Sequence, residues 1–318
     1  MTSVGLDLHK HYITACALSE SGALLAERRR LRPDVATRLE FLAALPAPVT
    51  VAMEATLYWA WLHDELAKRG YATEVAHAHQ VKLIWQARAT TDPIDARKLA
   101  ELSRVRCFPA IWIADPATRA RRTLLRGRAQ IVRVRTQLKN RVHGLLIAVN
   151  CRWERSDLYG VAGRAWLTTL ALPPAVRQQV DVFLELIDEL TARIKRLDRV
   201  VLTAARDEPI AAQLQTVPGI GPFSALLILA EIGTVTRFGT SHELAAYAGL
   251  TPSTRSSGDK TTHGGVGRAG SPWLKWILIE VVQALKLAPG PIGVHYQHLL
   301  RAKGKQKATV AAARKLCC

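Results

Sequence analysis

The chain has 318 residues, enough for two or three domains, and 49% of them are apolar, which excludes a disordered polypeptide and allows a sizeable core. Lys and Arg number 44 against 26 Asp and Glu, and the net charge of +18 points to a polyanionic partner, nucleic acid before membrane. No run of about eighteen apolar residues occurs, and M-T-S-V-G-L-D lacks a charged segment followed by an apolar one, so neither a membrane span nor secretion is expected.

Val4 to Leu8 is predicted as an apolar strand, interrupted by Asp7. His11 to Leu18 and Leu24 to Arg29 follow as two more, with a turn at Ser21-Gly22, and this spacing predicts an antiparallel meander. A helix fits Pro33 to Leu45, and V-T-V-A-M at Val49 to Met53 reads as a buried strand ending at Glu54. Tyr58 to Arg69 is helical and closes on Gly70, and Thr73 to Ala76 is a further strand. Hairpin strands followed by strands alternating with helices describe an α/β layer with a mixed sheet.

The next helix opens within T-T-D-P-I-D-A-R-K-L-A-E, Thr90 to Glu101. Pro93 suits a first turn, and Asp92 and Asp95, three apart, share a helix face. Taken alone, the pair reads as helix capping. Two other acids make that reading insufficient. Asp7 lies inside a strand, where Asp is depleted, and Glu54 lies at the carboxyl end of a strand, where open α/β sheets place ligands. Four carboxylates gathered at one sheet edge would repel unless cations neutralise them. Two divalent metals with oxygen ligands, Mg2+ or Mn2+, are the economical solution, and such pairs act on phosphodiesters.

The wording V-G-L-D-L-H-K, then V-A-M-E-A-T at Val51 to Thr56, then T-D-P-I-D-A-R-K-L-A resembles the DEDD motif set of bridge-RNA-guided insertion-sequence transposases. The resemblance implies a ribonuclease H-like, RuvC-like catalytic domain similar to Holliday-junction resolvases. It also makes Asp7, Glu54, Asp92 and Asp95 the four catalytic, metal-binding acids.

Asp115-Pro116 starts a different regime. From Arg119 to Arg141 there are nine basic residues and no acid: Arg119, Arg121, Arg122, Arg126, Arg128, Arg133, Arg135, Lys139 and Arg141. Ile131, Val134, Leu138, Val142, Leu145 and Val149 recur beneath them at helical spacing. A solvated face normally mixes signs, so a single-sign face points to phosphate contacts. Val176, Val180, Phe183, Ile187, Leu190, Ile194, Leu197 and Val201 then alternate spacings of four and three, a heptad seam. It can close on the basic helix of its own chain or on a second protomer. The family resemblance favours a coiled-coil insertion that helps build a homodimer or homotetramer.

Beyond Pro209, L-Q-T-V-P-G-I-G-P-F-S-A-L-L-I-L-A-E-I (Leu214 to Ile232) resembles a helix-hairpin-helix whose Gly219 and Gly221 let backbone N–H groups approach a phosphate; an ordinary tight turn between helices is the plainer alternative. A-A-Y-A-G-L-T-P leads into S-T-R-S-S-G-D-K-T-T-H-G-G-V-G-R-A-G-S, read as an exposed loop with Lys260 and Arg268 as candidate nucleic-acid contacts. Gly265 to Ser271 lacks the Lys of a phosphate-binding loop. In the resembled family, G-L-x-P followed by S-G and a Gly-rich basic segment is the second signature. It implies that the serine before the glycine, Ser257, is the nucleophile, with Ser256 one residue earlier as the competitor. Ser271 to Leu287 is an amphipathic helix, and His295 to Ala302 and Ala308 to Leu316 are helices joined by a K-G-K-Q-K turn. The family's last helix runs on past A-R-K-L, so a shortened final element is expected at Cys317-Cys318. Those two, with Cys16, Cys107 and Cys151, show no C-x-x-C spacing and read as reduced thiols.

The expected fold class is therefore α/β plus all-α. A RuvC-like domain (1–112) precedes a basic helix and coiled coil (113–206) and a mainly helical transposase domain with the serine loop (207–318). The expected function is a DNA transposase, cytoplasmic and nucleoid-associated, that cleaves and rejoins donor and target DNA under a structured guide RNA. Two alternatives stand beside it: a metal-dependent nuclease or junction resolvase that hydrolyses without a covalent intermediate, and a non-catalytic nucleic-acid-binding relative.

Overall fold

The computed structural model describes the chain except residues 33, 86–90, 259 and 268–269 and the side chains of residues 35, 255 and 263. Two compact units are present, Met1–Ile113 and Ala114–Cys318.

The first unit carries β1 (Thr2–Leu8), β2 (Ile13–Leu18), β3 (Leu24–Leu31), α1 (Val35–Ala43), β4 (Val49–Glu54), α2 (Trp59–Ala67), β5 (Ala72–Ala76), α3 (Ala78–Ile84) and α4 (Asp92–Arg104). Its five-stranded sheet has the order β3-β2-β1-β4-β5. The β1–β2 and β2–β3 pairs are antiparallel, whereas β1–β4 and β4–β5 are parallel. The mixed sheet read from the sequence is thus present, and the first hairpins supply its antiparallel half.

Helices cover both faces, which is why the central strands read as almost unbroken apolar runs. On one face Val4, Leu6, Leu8, Val51, Met53 and Val75 pack with Leu42 of α1 and with Leu62 and Leu66 of α2. On the other, Ala52 and Ala76 pack with Val81 of α3 and with Leu99 and Leu102 of α4, and Cys16 and Leu18 meet Ala96 and Ala100. Each fully buried Leu contributes about 1.5–3 kcal/mol. Small residues dominate the second face, so α4 lies close to the sheet.

The second unit begins with α5 (Pro116–Ala148), α6 (Val161–Thr169) and α7 (Pro174–Arg206). Asp115 caps α5 by accepting from Thr118 N at 2.9 Å. The helices α5 and α7 have 33 residues each, which is roughly 50 Å of length at 1.5 Å per residue. They run antiparallel, and the heptad seam closes on α5 of the same chain. Val180 and Ile187 are buried with Val142 and Leu146, while Leu125 at the other end of α5 joins the cluster of Val201 and Ala205.

There follow α8 (Pro209–Leu214), α9 (Pro222–Ile232), a single 3-10 turn (Val235–Arg237), α10 (Ser241–Tyr247), β6 (Pro252–Ser257), β7 (Lys260–Val266), α11 (Pro272–Leu285) and α12 (Pro291–Cys317). Three details depart from the sequence reading. The Ser/Thr/Gly-rich stretch is a hairpin, because β-branched Thr254, Thr261 and Thr262 favour extended backbone and Gly258 takes φ +57°. The two C-terminal helices are one element kinked at Gly304, with φ 76° and ψ 167°. Helices α3, α6 and α10 have no counterpart in the sequence pattern; α3 and α10 are only seven residues long, too short for a periodic signal.

Candidate active site

The acid cluster is assembled by a close approach between β1 and α4. A Cβ at Gly5 would fall 1.9 Å from Ala96 O and 2.6 Å from Ala100 N, so no other residue fits beneath this helix. Strand side chains alternate, and Asp7 therefore shares Gly5's face. On α4, Asp92 is one turn before Ala96, and Asp95 one turn before Leu99, which directs both acids toward the same edge. The parallel register pairs Gly5 with Ala52 and Leu6 with Met53, and so sets Glu54 beside Asp7 at the carboxyl ends of β1 and β4. The four acids thus share one sheet edge and one helix start, near enough to influence one another's ionisation, and among the described residues Asp7 and Asp92 come, with His9, within the ligand range of a single ion.

Side chains that the sequence reading passed over complete the cluster. His9 Nε2 lies 2.9 Å from Asp7 Oδ2 and 3.5 Å from Asp92 Oδ1. Asp7, His9 and Asp92 each present one ligand atom within 4.8 Å of the other two. The Tyr12 hydroxyl donates to Asp92 Oδ2 at 3.0 Å, and the Tyr58 hydroxyl donates to the His9 carbonyl at 2.7 Å. Asp92 therefore does more than favour the helix dipole. Lys98, 5% exposed, places Nζ 3.4 Å from Asp95 Oδ1.

Charge is held in this site at a cost. Burial pushes the Asp7 carboxyl above its ordinary range; His9 opposes the shift, and Asp95 and Asp92 add to it. Burial also raises Glu54, with Lys98 offsetting part of the effect and Asp7 and Asp95 reinforcing it. The Tyr12 hydroxyl is raised by its hydrogen bond to Asp92. Carboxylates that disfavour their own ionisation, yet converge with an imidazole, suit a divalent cation as the missing positive charge.

In the second unit, the hairpin register pairs Ser256 with Thr261 and Ser257 with Lys260. Ser256 Oγ is engaged with Thr261 Oγ1 at 3.0 Å, and Ser257 is exposed. The chain before α11 is pinned at Gly270 and Ser271. Gly270 has φ +95° and its Cβ would lie 2.4 Å from Tyr247 O, while Ser271 N donates to that same oxygen at 2.6 Å. Ser271 Oγ donates to Glu231 Oε2 at 2.9 Å and caps α11 through Leu274 N.

Residues 4–150 match the sequence model of the DEDD transposase of the IS110 type, and residues 211–297 match the model described as the transposase IS116/IS110/IS902 family. The two spans take in the acids, the basic helix and the serine hairpin, and together cover well over half of the chain. The chain belongs to the IS110/IS116 transposase family. A probable family 20 transposase of Pseudomonas aeruginosa is 29% identical over 294 residues, 90% of this chain and 84% of the relative. The transposase for insertion sequence element IS1328 of Yersinia enterocolitica is 26% identical over 88% of this chain and 82% of its own length. That for IS1111A of Coxiella burnetii is 23% identical over 98% and 86%. The molecule is accordingly a DNA transposase of insertion-sequence type.

The basic stretch of the transposase is used in part to hold its own fold. Arg126 makes a two-pronged pair with Glu231, 2.8 Å at each oxygen, and Glu231 is fully buried at the end of α9. Arg122 donates to Ala230 O at 2.6 Å and to Glu231 O at 3.0 Å. Arg121 pairs with Glu208 and Arg128 with Asp198, Arg135 donates to Thr191 Oγ1, Lys139 lies over the Tyr159 ring, and Arg119 donates to the Ala114 carbonyl. Arg133 and Arg141 are exposed.

Gly219 has φ +85° and a Cβ there would come 2.7 Å from Ala284 Cβ, so this glycine serves the packing of α11, while around Gly221 a Cβ would meet nothing. Lys260 stands opposite Ser257, and Arg268 lies outside the described residues. His9 had a signal in the D-x-H spacing, since i and i+2 share a strand face. Glu231 had none, because its partner is 105 residues away.

Proposed function

We propose that this transposase cleaves and rejoins DNA strands with Ser257 as nucleophile, acting with two divalent cations, Mg2+ or Mn2+, at Asp7, Glu54, Asp92 and Asp95. The observation that carries the proposal is the gathering of these four acids at one edge, where burial and neighbouring carboxylates raise Asp7 and Glu54. The matched DEDD model spans all four. The strand order, an antiparallel meander beside a parallel pair, supports a ribonuclease H-like, RuvC-like reading of the first unit.

Cations bound there would neutralise the phosphate and lower the pKa of an attacking hydroxyl. The hydroxyl of Ser257 gives up its proton to solvent and forms a bond to phosphorus as one strand P–O bond breaks, and the departing strand oxygen takes up a proton from solvent. A strand hydroxyl later attacks the phosphoserine, rejoining DNA and releasing the serine. Ser257 is favoured over Ser256 because the latter's hydroxyl is already engaged with Thr261. In this reading the carboxylates of one protomer meet the serine of another, the assembly is a homodimer or homotetramer, and a structured bridge RNA pairs with donor and target. Backbone contacts from residues such as Arg133, Arg141 and Lys260 then supply affinity without reading sequence. The reaction belongs in the cytoplasm, at the nucleoid.

Strand cleavage of a donor duplex, measured with the copurified nucleic acid retained and sequenced, tests the proposal. Asp7→Asn, Glu54→Gln, Asp92→Asn and Asp95→Asn should each abolish metal-dependent cleavage, and one discrete structured RNA should accompany the protein. Cleavage surviving in the Glu54→Gln and Asp95→Asn proteins would remove the carboxylate assignment. A hydrolytic nuclease or resolvase remains the second reading, favoured by one observation: the acid cluster is complete within the first unit, without the serine.

A further inference from the structure

His9 belongs to neither the four acids nor the serine hairpin, yet its ring stands between two of the acids. Its Nε2 is 2.9 Å from Asp7 Oδ2 and 3.5 Å from Asp92 Oδ1, and the three ligand atoms fit within the span of one ion's coordination shell. The ring is held from two directions. Tyr12 packs against it at 4.6 Å between centroids, and Tyr58 fixes the His9 backbone through the 2.7 Å bond to its carbonyl. Tyr12 also bonds Asp92, so the imidazole and that carboxylate are positioned by one side chain.

From this geometry we infer that His9 is a direct nitrogen ligand, through Nε2, to a divalent cation shared with Asp7 and Asp92. The ion position becomes a mixed nitrogen and oxygen site that prefers a first-row transition ion such as Mn2+ to Mg2+. The inference rests on the cation reading above. A hydrogen bond from Nε2 to Asp7 holds the ring in register while the site lacks an ion, and the other tautomer turns the Nε2 lone pair toward one. The preference follows from donor chemistry: Mg2+ demands oxygen ligands and keeps its waters, whereas imidazole binds transition ions well. A purely structural His9 would keep its N–H on Asp7 and leave the ion with oxygen donors only.

The test uses the full chain, freed of metal, with Mn2+ as probe. Bound Mn2+ is counted from the loss of the free-ion electron paramagnetic resonance signal, and a directly bound imidazole is detected as 14N coupling in pulsed spectra. The intact protein should show that coupling. His9→Gln, which keeps a polar side chain, and His9→Ala should both lose it, bind Mn2+ about tenfold more weakly and hold Mg2+ nearly unchanged in competition. Mn2+ that binds, is lost in Asp7→Asn, yet shows no 14N coupling would overturn the role of His9 and leave the acids' role standing. Coupling that persists in His9→Gln would overturn it too. No Mn2+ binding at all would overturn both the cation reading and this inference.

Discussion

Burial raises the Asp7 and Glu54 carboxyls, and that has a measurable thermodynamic sign. Unfolded, they titrate near their ordinary values of 3.8 and 4.5, and folding raises both. From the unfolded values upward to the raised ones, the native state therefore binds more protons, and their contribution to stability falls as pH rises. Below the unfolded values both states are protonated and nothing changes. In metal-free protein the double variant Asp7→Asn, Glu54→Gln should thus be more stable than the parent at pH 7, by about 1 kcal/mol, a usual gain when an active site gives up its function. The advantage should vanish as pH is lowered below about 4. Thermal melts at both pH values check this, and a double variant that melts lower at pH 7 would contradict it. Lys98 has the opposite role, since its buried ammonium is the main influence lowering Glu54. Lys98→Met should push Glu54 further up, read as a higher pKa by carboxyl carbon NMR, and an unmoved value would refute the coupling. The acids were legible in the sequence because Asp inside a strand and Glu at a strand end break ordinary preferences. His9 and Lys98 break none, and only the packing of β1 against α4 shows what they face.

At the scale of elements, the site depends on how near α4 lies to β1. Gly5→Ala forces a methyl into the Ala96 carbonyl, so α4 must shift. The expected cost is about 1–3 kcal/mol of stability, with strand cleavage lost. Denaturant unfolding and a cleavage assay together test this, and a fully active Gly5→Ala protein would refute the packing argument. A second joint ties α5, α9, α10 and α11 together through Glu231, whose carboxylate accepts from Arg126 and Ser271 and whose carbonyl accepts from Arg122 and Tyr247. Ser271 lies five residues past the end of β7, so this ion pair fixes the start of α11, the element that comes after the serine hairpin. Glu231→Gln removes the counter-charge of the partly exposed Arg126 and weakens a charge-assisted hydrogen-bond set, and should destabilise by about 1–3 kcal/mol, a loss readable in urea unfolding; an unchanged stability would show the pair to be dispensable. Sequence periodicity announced α5 and α7 because long amphipathic helices carry their own pattern. It could not say that the seam closes within the chain, nor that Arg122 and Arg126 turn inward, since both depend on partners distant in sequence. The hairpin looks like a loop in the sequence for a similar reason: its strands bury little, so alternation is faint.

For the whole molecule, the net charge of +18 gives a general attraction for nucleic acid. Many of the α5 arginines are nevertheless spent on internal pairs, so each substitution there mixes folding with binding. Arg133→Ala and Arg141→Ala, at exposed positions, should weaken DNA or RNA binding uniformly across sequences and lower the salt slope by about one each. A titration at several salt concentrations reads it. In the proposed reaction the acids of the first unit would hold the cations and the hairpin of the second would supply the hydroxyl. The most direct measurement is a denaturing gel of end-labelled donor DNA incubated with the full protein, its own copurified RNA and Mg2+ or Mn2+. The account predicts a protease-sensitive protein–DNA adduct that is absent for Ser257→Ala, present for Ser256→Ala and absent for Asp7→Asn. Recombined DNA from the Ser257→Ala protein, or free cut ends with no adduct from the parent, would contradict it.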